Sequence, residues 1–184
     1  LPFVNFGGPV AVDAGTTQRL LKAAQDRASR LRANYLEVRC AEPLETDLPV
    51  SLHKVSMTLD LEPDPDQLWS KFASKHRTNI RRVYKDGLTV TAGGQELLPD
   101  FYAVMQRSWR DLGTPLYAPE YFKAIVDAFP DQTRIFVCRR NGEPIAVAFN
   151  GYYAATVEGM WAGTTPAGHE LQANYVLYWE MIKD

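Results

Sequence analysis

The chain has 184 residues, of which 46% are hydrophobic and 23% charged, and its formal net charge is −2. These values are typical of a globular protein that can bury a core, and they exclude a bulk attraction to nucleic acid or membranes. The sequence has no apolar run long enough to cross a membrane and no signal-peptide pattern at its start. We therefore expect no membrane span and, by default, a cytoplasmic location. Any binding function must depend on a local patch.

Cysteine and histidine do not form a metal motif. Cys40 and Cys138 each lie in an apolar run and are predicted to be buried, free thiols. The three histidines are scattered along the chain, so no zinc site can be assembled from them. We expect no metal.

The first third of the chain predicts strands around one helix. A helix is expected from Thr16-Thr17 to about Ala33, with the threonines as N-cap. Three segments have the composition or the alternation of strands, and the last has apolar residues at every second position. These predicted strands are residues 1–12, 34–40 and 53–61.

A basic segment at residues 66–85 follows an acidic, proline-containing connector. From Lys71 to Lys85 it contains no acid, and on a helix its six lysines and arginines face away from an apolar stripe. Ser74 could cap a second helix, which would divide the segment in two. The unmixed charge predicts either an anion-binding surface or a solvated face that is paired with acids elsewhere.

The rest of the chain predicts a sheet with flanking helices. Asn141-Gly142 is the preferred two-residue turn of a β-hairpin, and a third strand follows it to give a meander. A short strand and two helices precede the hairpin, and a helix closes the chain. The expected strands are 88–92, 133–140, 143–153 and 157–163, and the expected helices are 96–112, 119–129 and the stretch from about Leu171.

Several stretches resemble one family. They are LPFVNFGGPV, YLEVRC, the K-x-R-x-x-I-R-R run at Lys75–Arg82, FYAVMQRSWRDLGTP, the meander with Trp161-Ala162, and ANYVLYWEMIKD. Together with the order of elements, they resemble the FemAB-like transferases, which are built on the acyl-CoA N-acyltransferase (GNAT) architecture. The resemblance covers nearly the whole chain and is greatest to FemAB-related proteins of exosortase and exopolysaccharide systems.

The resemblance implies an α/β fold class, that is, an α+β sheet with flanking helices, in parts of two tandem GNAT-like repeats. Residues 1–61 would be the C-terminal part of a first repeat and residues 62–66 a linker. Residues 67–184 would be the N-terminal part of a second repeat. The sequence is then expected to be a segment of a longer protein.

The implied function is transfer of an aminoacyl or acyl group to an amine acceptor in cell-envelope or exopolysaccharide metabolism. Two alternatives remain: a non-catalytic scaffold that docks an anionic glycan or protein, and an acetyl-CoA-dependent N-acetyltransferase. The sequence GTTPAGHELQAN stands where a CoA-binding domain carries Q/R-x-x-G-x-G/A, so the pyrophosphate cradle is missing. This makes CoA use doubtful. No sustained heptad run supports a helical arm for tRNA either, so the donor stays open between aminoacyl-tRNA and acyl-CoA.

The candidate site residues fall into two sets. Arg77, Asn79, Arg81 and Arg82 are predicted to clamp an anionic substrate, either tRNA or a nucleotide- or lipid-linked saccharide, because arginine forks match phosphate geometry. Glu158 is the candidate general base, although a cross-strand pair would also explain it. Three further residues are substrate-binding candidates, and the last two have a structural alternative, as a core ring and as a helix-to-loop hydrogen bond. They are Thr114, Trp161 and Asn174.

Overall fold

The computed structural model describes residues 6–52 and 55–184, and the chain divides into two compact units, Leu1–Leu59 and Asp60–Asp184. In the first unit, helix α1 spans Ala14–Arg30. The Asp13 carboxylate accepts a hydrogen bond from the backbone N–H of Thr16 at 2.6 Å, which makes Asp13 the N-cap. The prediction of this helix is confirmed, and the prediction of the threonines as its cap is wrong.

The three strands predicted for the first third do not form among its described residues. Residues 6–12, 34–40 and 55–61 belong to no strand, while 1–5 and 53–54 lie outside the described residues. Val55 and Met57 are 80% and 89% exposed. Alternation gives a strand only when a neighbouring strand takes up its backbone hydrogen bonds and one of its faces is covered. Cys40, predicted to be buried, is exposed for the same reason.

The second unit contains a four-stranded antiparallel sheet in the order β1-β2-β3-β4, flanked by helices. Asn141 and Gly142 have φ values of 52° and 84°, as the predicted hairpin turn requires. The strands are β1 Leu88–Gly93, β2 Thr133–Arg140, β3 Glu143–Tyr153 and β4 Thr156–Thr164. The helices are α2 Pro65–Lys71, α3 Ser74–Lys85, α4 Leu98–Asp111, α5 Pro119–Ala128, α6 Pro166–Glu170 and α7 Asn174–Lys183, and a 3-10 turn spans Gln95–Leu97.

The basic segment is two helices, α2 and α3. They are separated at Phe72 and Ala73, whose ψ angles of 141° and 143° are extended. The Asp64 carboxylate caps α2 by accepting from the N–H of Asp66 at 3.0 Å. Ser74 is the first residue of α3 and makes no capping hydrogen bond, so its predicted role as a cap is wrong.

The sheet separates two apolar cores. Phe136 and Ala148 face the core formed with α3 and α7, whereas Val137 and Phe149 face the core formed with α4 and α5. Both sets are essentially inaccessible to solvent. Because side chains alternate along a strand, β2 and β3 must be apolar at nearly every position to supply both cores.

Strand β4 carries a bulge and lies at the edge of the described sheet. Phe149 pairs with Trp161, but the next residue, Asn150, pairs with Gly159, so Met160 is an extra residue in β4. A bulge bends the strand and changes the direction of its backbone groups. The part of β4 that follows Met160 is therefore redirected relative to β3.

The connection from β4 to α6 is packed against the start of β3. Thr165 Oγ1 accepts a hydrogen bond from the N–H of Gly168 at 3.2 Å and caps α6. A Cβ at Gly168 would lie 2.3 Å from the carbonyl oxygen of Ile145 and 2.5 Å from Thr164 Oγ1. Gly168 is thus required by close packing of two backbone segments.

We expect Gly168→Ala to destabilise the second unit by about 1–3 kcal/mol, because the added methyl group must displace the backbone of Ile145. The measurement is thermal unfolding followed by circular dichroism. Ala167→Ser, at an exposed position in the same short helix, should leave the melting temperature within a degree or so of wild type. Equal melting temperatures for the two variants would contradict this packing argument.

Candidate functional site

The structure places the sequence-predicted residues on two sides of the sheet. Arg77, Asn79, Arg81 and Arg82 lie on α3, which packs on one face of the sheet together with α7, the helix that Asn174 begins. Thr114, Trp161 and Glu158 belong to the opposite face or to the loop that borders it. The basic residues and the candidate base are therefore not brought into one cluster.

Arg77 has a structural partner. Its Nη1 donates to the carbonyl oxygen of Ser70 at 2.9 Å, near the C-terminal end of α2. The last carbonyls of a helix have no partner within the helix, and a guanidinium beside them is favourable. Arg77 thereby ties α3 to α2, and its outward surface is only half-exposed.

Arg81 and Arg82 occupy the outer side of α3. The Arg81 guanidinium carbon lies 5.2 Å from the centre of the Trp69 ring, and the side chain is exposed. Arg82 donates a hydrogen bond to the side-chain oxygen of Gln172, just before Asn174. This contact joins α3 to the start of α7 and brings Arg82 and Asn174 to the same end of that face.

Trp161 forms one wall of an aromatic cluster. Its ring meets the rings of Phe122 and Phe149 edge to face, with centroids 5.2 Å and 5.3 Å away. Tyr121 lies 6.1 Å from Trp161 and stacks on Tyr117 at 4.4 Å. The partly exposed rings give this side of β4 an apolar, shaped surface.

Thr114 lies in the loop that borders the aromatic cluster. Gly113 precedes it with a φ of 69°, and the backbone N–H of Thr114 donates to the carbonyl oxygen of Trp109 at 2.8 Å. Tyr102 holds the other end of the loop, since its hydroxyl donates to the carbonyl oxygen of Tyr117 at 3.1 Å. The Thr114 side chain is exposed beside a loop with fixed ends.

Glu158 lies in β4 two residues before the bulge. It is half-buried, and the residue directly opposite on β3 is Gly151. Val147 and Phe149 face the core with α4 and α5, so alternation places Gly151 and its partner Glu158 on the same side. The carboxylate therefore shares a face with Trp161.

A second group of polar residues was not predicted. The Tyr152 hydroxyl donates to Asp184 Oδ2 at 2.7 Å, and Arg134 Nε lies 2.9 Å from Asp184 Oδ1. Burial, and then the hydrogen bond to Asp184, raise the pKa of Tyr152 to about 12. Asn150, beside Tyr152 on the same face, is 1% exposed. An asparagine within the apolar run AVAFN was the signal in the sequence for this group.

The described residues contain neither a candidate group of metal ligands nor a helix that could span a membrane. No group of three or more histidine, cysteine, aspartate or glutamate side chains is arranged to bind a metal in residues 6–52 and 55–184. Within the same residues, no helix is both long and apolar enough to cross a bilayer. Burial raises the pKa of the Cys138 thiol to about 12, which makes it a poor nucleophile.

Comparison with known proteins identifies the family. Residues 70–184, more than half of the chain, match the family model described as an acetyltransferase (GNAT) domain, so the chain belongs to that family. A curated relative, the UDP-N-acetylmuramoylpentapeptide-lysine N(6)-alanyltransferase of Weissella viridescens, is 29% identical over 134 residues. That match covers 71% of this chain and 40% of the relative, so the chain spans less than half of the relative's length.

Solved structures share the fold. The crystal structure of FemX has a TM-score of 0.58 at 13% identity, over 65% of this chain and 47% of FemX. The DUF2156 C-terminal domain of a protein from Agrobacterium fabrum has a TM-score of 0.51 at 16% identity, over 65% of this chain and 40% of that chain. The predicted fold class and the resemblance to FemAB-like, GNAT-fold acyltransferases are confirmed. The link to exosortase systems stays a prediction.

The contacts of α3 predict that two of its arginines differ in role. Arg77→Ala removes a guanidinium from the end of α2 and should lower stability by about 1–2 kcal/mol. Arg81→Glu loses only an exposed contact with Trp69, so its melting temperature should stay near that of wild type. Thermal unfolding checks both expectations, and a large loss of stability in Arg81→Glu would show that this arginine is structural.

Proposed function

We propose that the protein is an N-acyltransferase of cell-envelope metabolism that transfers an aminoacyl or acyl group to an amine. The observation that carries the proposal is the bulge at Met160 in β4, in a chain of the GNAT family. In this fold, a backbone N–H on the bent fourth strand polarises the carbonyl under attack. The alanyltransferase relative, by its name, transfers alanine to a lysine N(6) amine of a peptidoglycan precursor.

The reaction needs few side chains. The amine nitrogen attacks the donor carbonyl, the new N–C bond forms, and the bond from the carbonyl carbon to the carrier breaks. A preorganised N–H at the bulge would stabilise the negative charge on the carbonyl oxygen. Glu158, on the same face as Trp161, would take the proton from the attacking nitrogen. Trp161, the aromatic cluster and Thr114 would form the wall for the acceptor.

The loop after β4 favours a carrier other than CoA. A pyrophosphate cradle needs free backbone N–H groups and glycines that allow a phosphate to approach. Here the N–H of Gly168 already donates to Thr165 Oγ1. The space beside the Gly168 Cα is occupied by the Ile145 carbonyl and is not open to a ligand. An aminoacyl group carried by tRNA fits the chain better than acetyl-CoA.

The outer face of α3 would hold the anionic part of a substrate. Arg81 is exposed on that face, and Arg82 lies beside Gln172 at the start of α7. Asn79 and Asn174 would add amide contacts to a diphosphate of a nucleotide- or lipid-linked saccharide, or to tRNA. Arg77 would contribute charge from its position at the end of α2. An exopolysaccharide acceptor and a cytoplasmic location belong to this proposal as well.

The proposal extends to the whole chain. Residues 1–61 would complete a first GNAT-like repeat, with residues 62–66 as its linker to a second repeat that begins at residue 67. The chain's coverage of 40% of the alanyltransferase is compatible with such a larger assembly.

The role of Glu158 is testable by substitution. Glu158→Gln should lower kcat for alanyl transfer from alanyl-tRNA to UDP-N-acetylmuramoyl-pentapeptide by about 10²–10⁴-fold, since the general base is lost. The matched control is Glu143→Gln at the exposed start of β3, which should retain wild-type activity. The loss should shrink as pH rises, because the acceptor amine then loses its proton to solvent.

One result would contradict the proposal, and a second would contradict its choice of a carrier other than CoA. Wild-type protein that transfers from neither alanyl-tRNA nor acetyl-CoA, while it still binds UDP-N-acetylmuramoyl-pentapeptide, would indicate the non-catalytic binding module. Transfer from acetyl-CoA alone would indicate an acetyltransferase with an atypical loop. Both results come from the same assay, with radiolabelled donors and calorimetry on the purified chain.

A further inference from the structure

One buried oxygen in β3 lacks a partner. Asn150 is 1% exposed, and its Oδ1 is the buried side-chain atom that accepts no hydrogen bond within residues 6–52 and 55–184. An unpaired buried acceptor costs roughly 1–3 kcal/mol, so it calls for a specific explanation. A donor that arrives with a ligand supplies such an explanation.

The surrounding hydrogen bonds fix the orientation of the Asn150 carboxamide. The Tyr152 hydroxyl donates its proton to Asp184, so the Tyr152 hydroxyl oxygen can only accept a further hydrogen bond. Asn150 donates to that oxygen, and this hydrogen bond works against the rise in the pKa of Tyr152. Only the NH₂ group of an asparagine can donate, so Oδ1 is the group left over. Arg134 completes the network by pairing with Asp184.

A small space adjoins the unpaired oxygen. A Cβ built on Gly159 would lie 3.9 Å from Asn150 Oδ1 and 3.6 Å from Met181 Cε, which are ordinary contact distances. Gly159 therefore leaves room beside the oxygen for about one atom bonded to its Cα, on the face of the sheet that α7 covers. Gly159 is exposed and directly precedes the bulge residue Met160, so the space borders the proposed position of the reacting carbonyl.

We propose that Asn150 is a specificity-determining residue that selects an aminoacyl donor over a simple acyl donor. Its Oδ1 accepts a hydrogen bond from the α-amino group of the donor, which occupies the space over Gly159. The inference rests on the proposed function, because it requires the donor carbonyl at the bulge. The α-amino nitrogen is one carbon away from that carbonyl and so reaches the neighbouring position on the strand.

The choice between the two donors depends on whether the donor gives Asn150 Oδ1 a hydrogen bond. An aminoacyl donor satisfies the buried oxygen, whereas the same donor without its amino group leaves that oxygen unpaired. Sites that hydrogen-bond a substrate N–H or O–H can reject the analogue that lacks it by on the order of 10⁴-fold. Met181, whose unbranched side chain adapts easily, borders the space and can move aside as the amino group enters.

The kinetic test uses two donors that differ only in the amino group. Wild-type protein is given tRNA that carries either an alanyl or a propionyl ester, with UDP-N-acetylmuramoyl-pentapeptide as acceptor. We expect kcat/KM to favour the alanyl ester by at least roughly 100-fold. Asn150→Leu, which is similar in volume, should bring the two values within a few-fold of each other by lowering the alanyl value alone. An unchanged ratio in this variant would overturn the inference.

Gly159→Ala provides a second variant in case Asn150→Leu does not fold. The added methyl group is sterically tolerated, but it fills the space over Asn150 Oδ1. Alanyl transfer should fall at least roughly tenfold more than propionyl transfer. Equal losses with both esters would count against a site for the amino group, since a general distortion of the strand acts on both donors alike.

A binding measurement separates this inference from the proposed function. In ¹⁵N–¹H NMR spectra of wild-type protein, alaninamide should shift the side-chain amide signals of Asn150, and propionamide should not. The signals are assigned by their loss in Asn150→Leu. Absence of transfer from either ester would overturn the proposed function and leave the NMR result to decide the inference. No shift with alaninamide, or equal shifts with both amides, would overturn the inference itself.

Discussion

The second unit depends on the pairing of β2 with β3. These two strands are buried on both faces, because one set of their side chains packs under α3 and α7 and the other under α4 and α5. Loss of the helices on either face would expose the apolar side chains that this face buries, which costs free energy in proportion to the exposed area. The Asn141-Gly142 turn joins the two strands, and a register shift next to it makes Ile145 an extra residue in β3. The turn and this shift together decide which side chains each core receives.

The same pairing positions the candidate site. Phe149 is paired with Trp161 and Asn150 with Gly159, so the register change that expels Met160 occurs where β3 is fully buried. A bulge bends the strand that carries it and increases its local twist. The pairs on either side of Met160 hold this irregularity of β4 at one position in the chain.

The sequence predicted the second unit well because its signals were local. The hairpin turn, the period of the helices and the proline that begins α5 each act within a few residues. The alternation of apolar residues at 55–61 gave a wrong prediction of a strand. A strand also needs a neighbouring strand to take up its backbone hydrogen bonds, and no local pattern supplies one. For the site, the residue types on α3 were visible, but the use of Arg77 to cap α2 was not. Asn150 was visible only as a polar residue in an apolar run.

The loop after β4 determines which part of the sheet can bind the anionic group of a substrate in the proposed function. In that loop Thr165 caps α6, and the Ile145 carbonyl oxygen packs directly against Gly168. The loop therefore has no open space at this glycine for a pyrophosphate. In the proposed function, the negative charge of a substrate would be neutralised elsewhere, and the exposed arginines of α3 supply cations on the face of the sheet opposite the aromatic wall. The proposal thus combines a donor without CoA, an anionic substrate at a distance from the bulge, and a buried oxygen for an amino group.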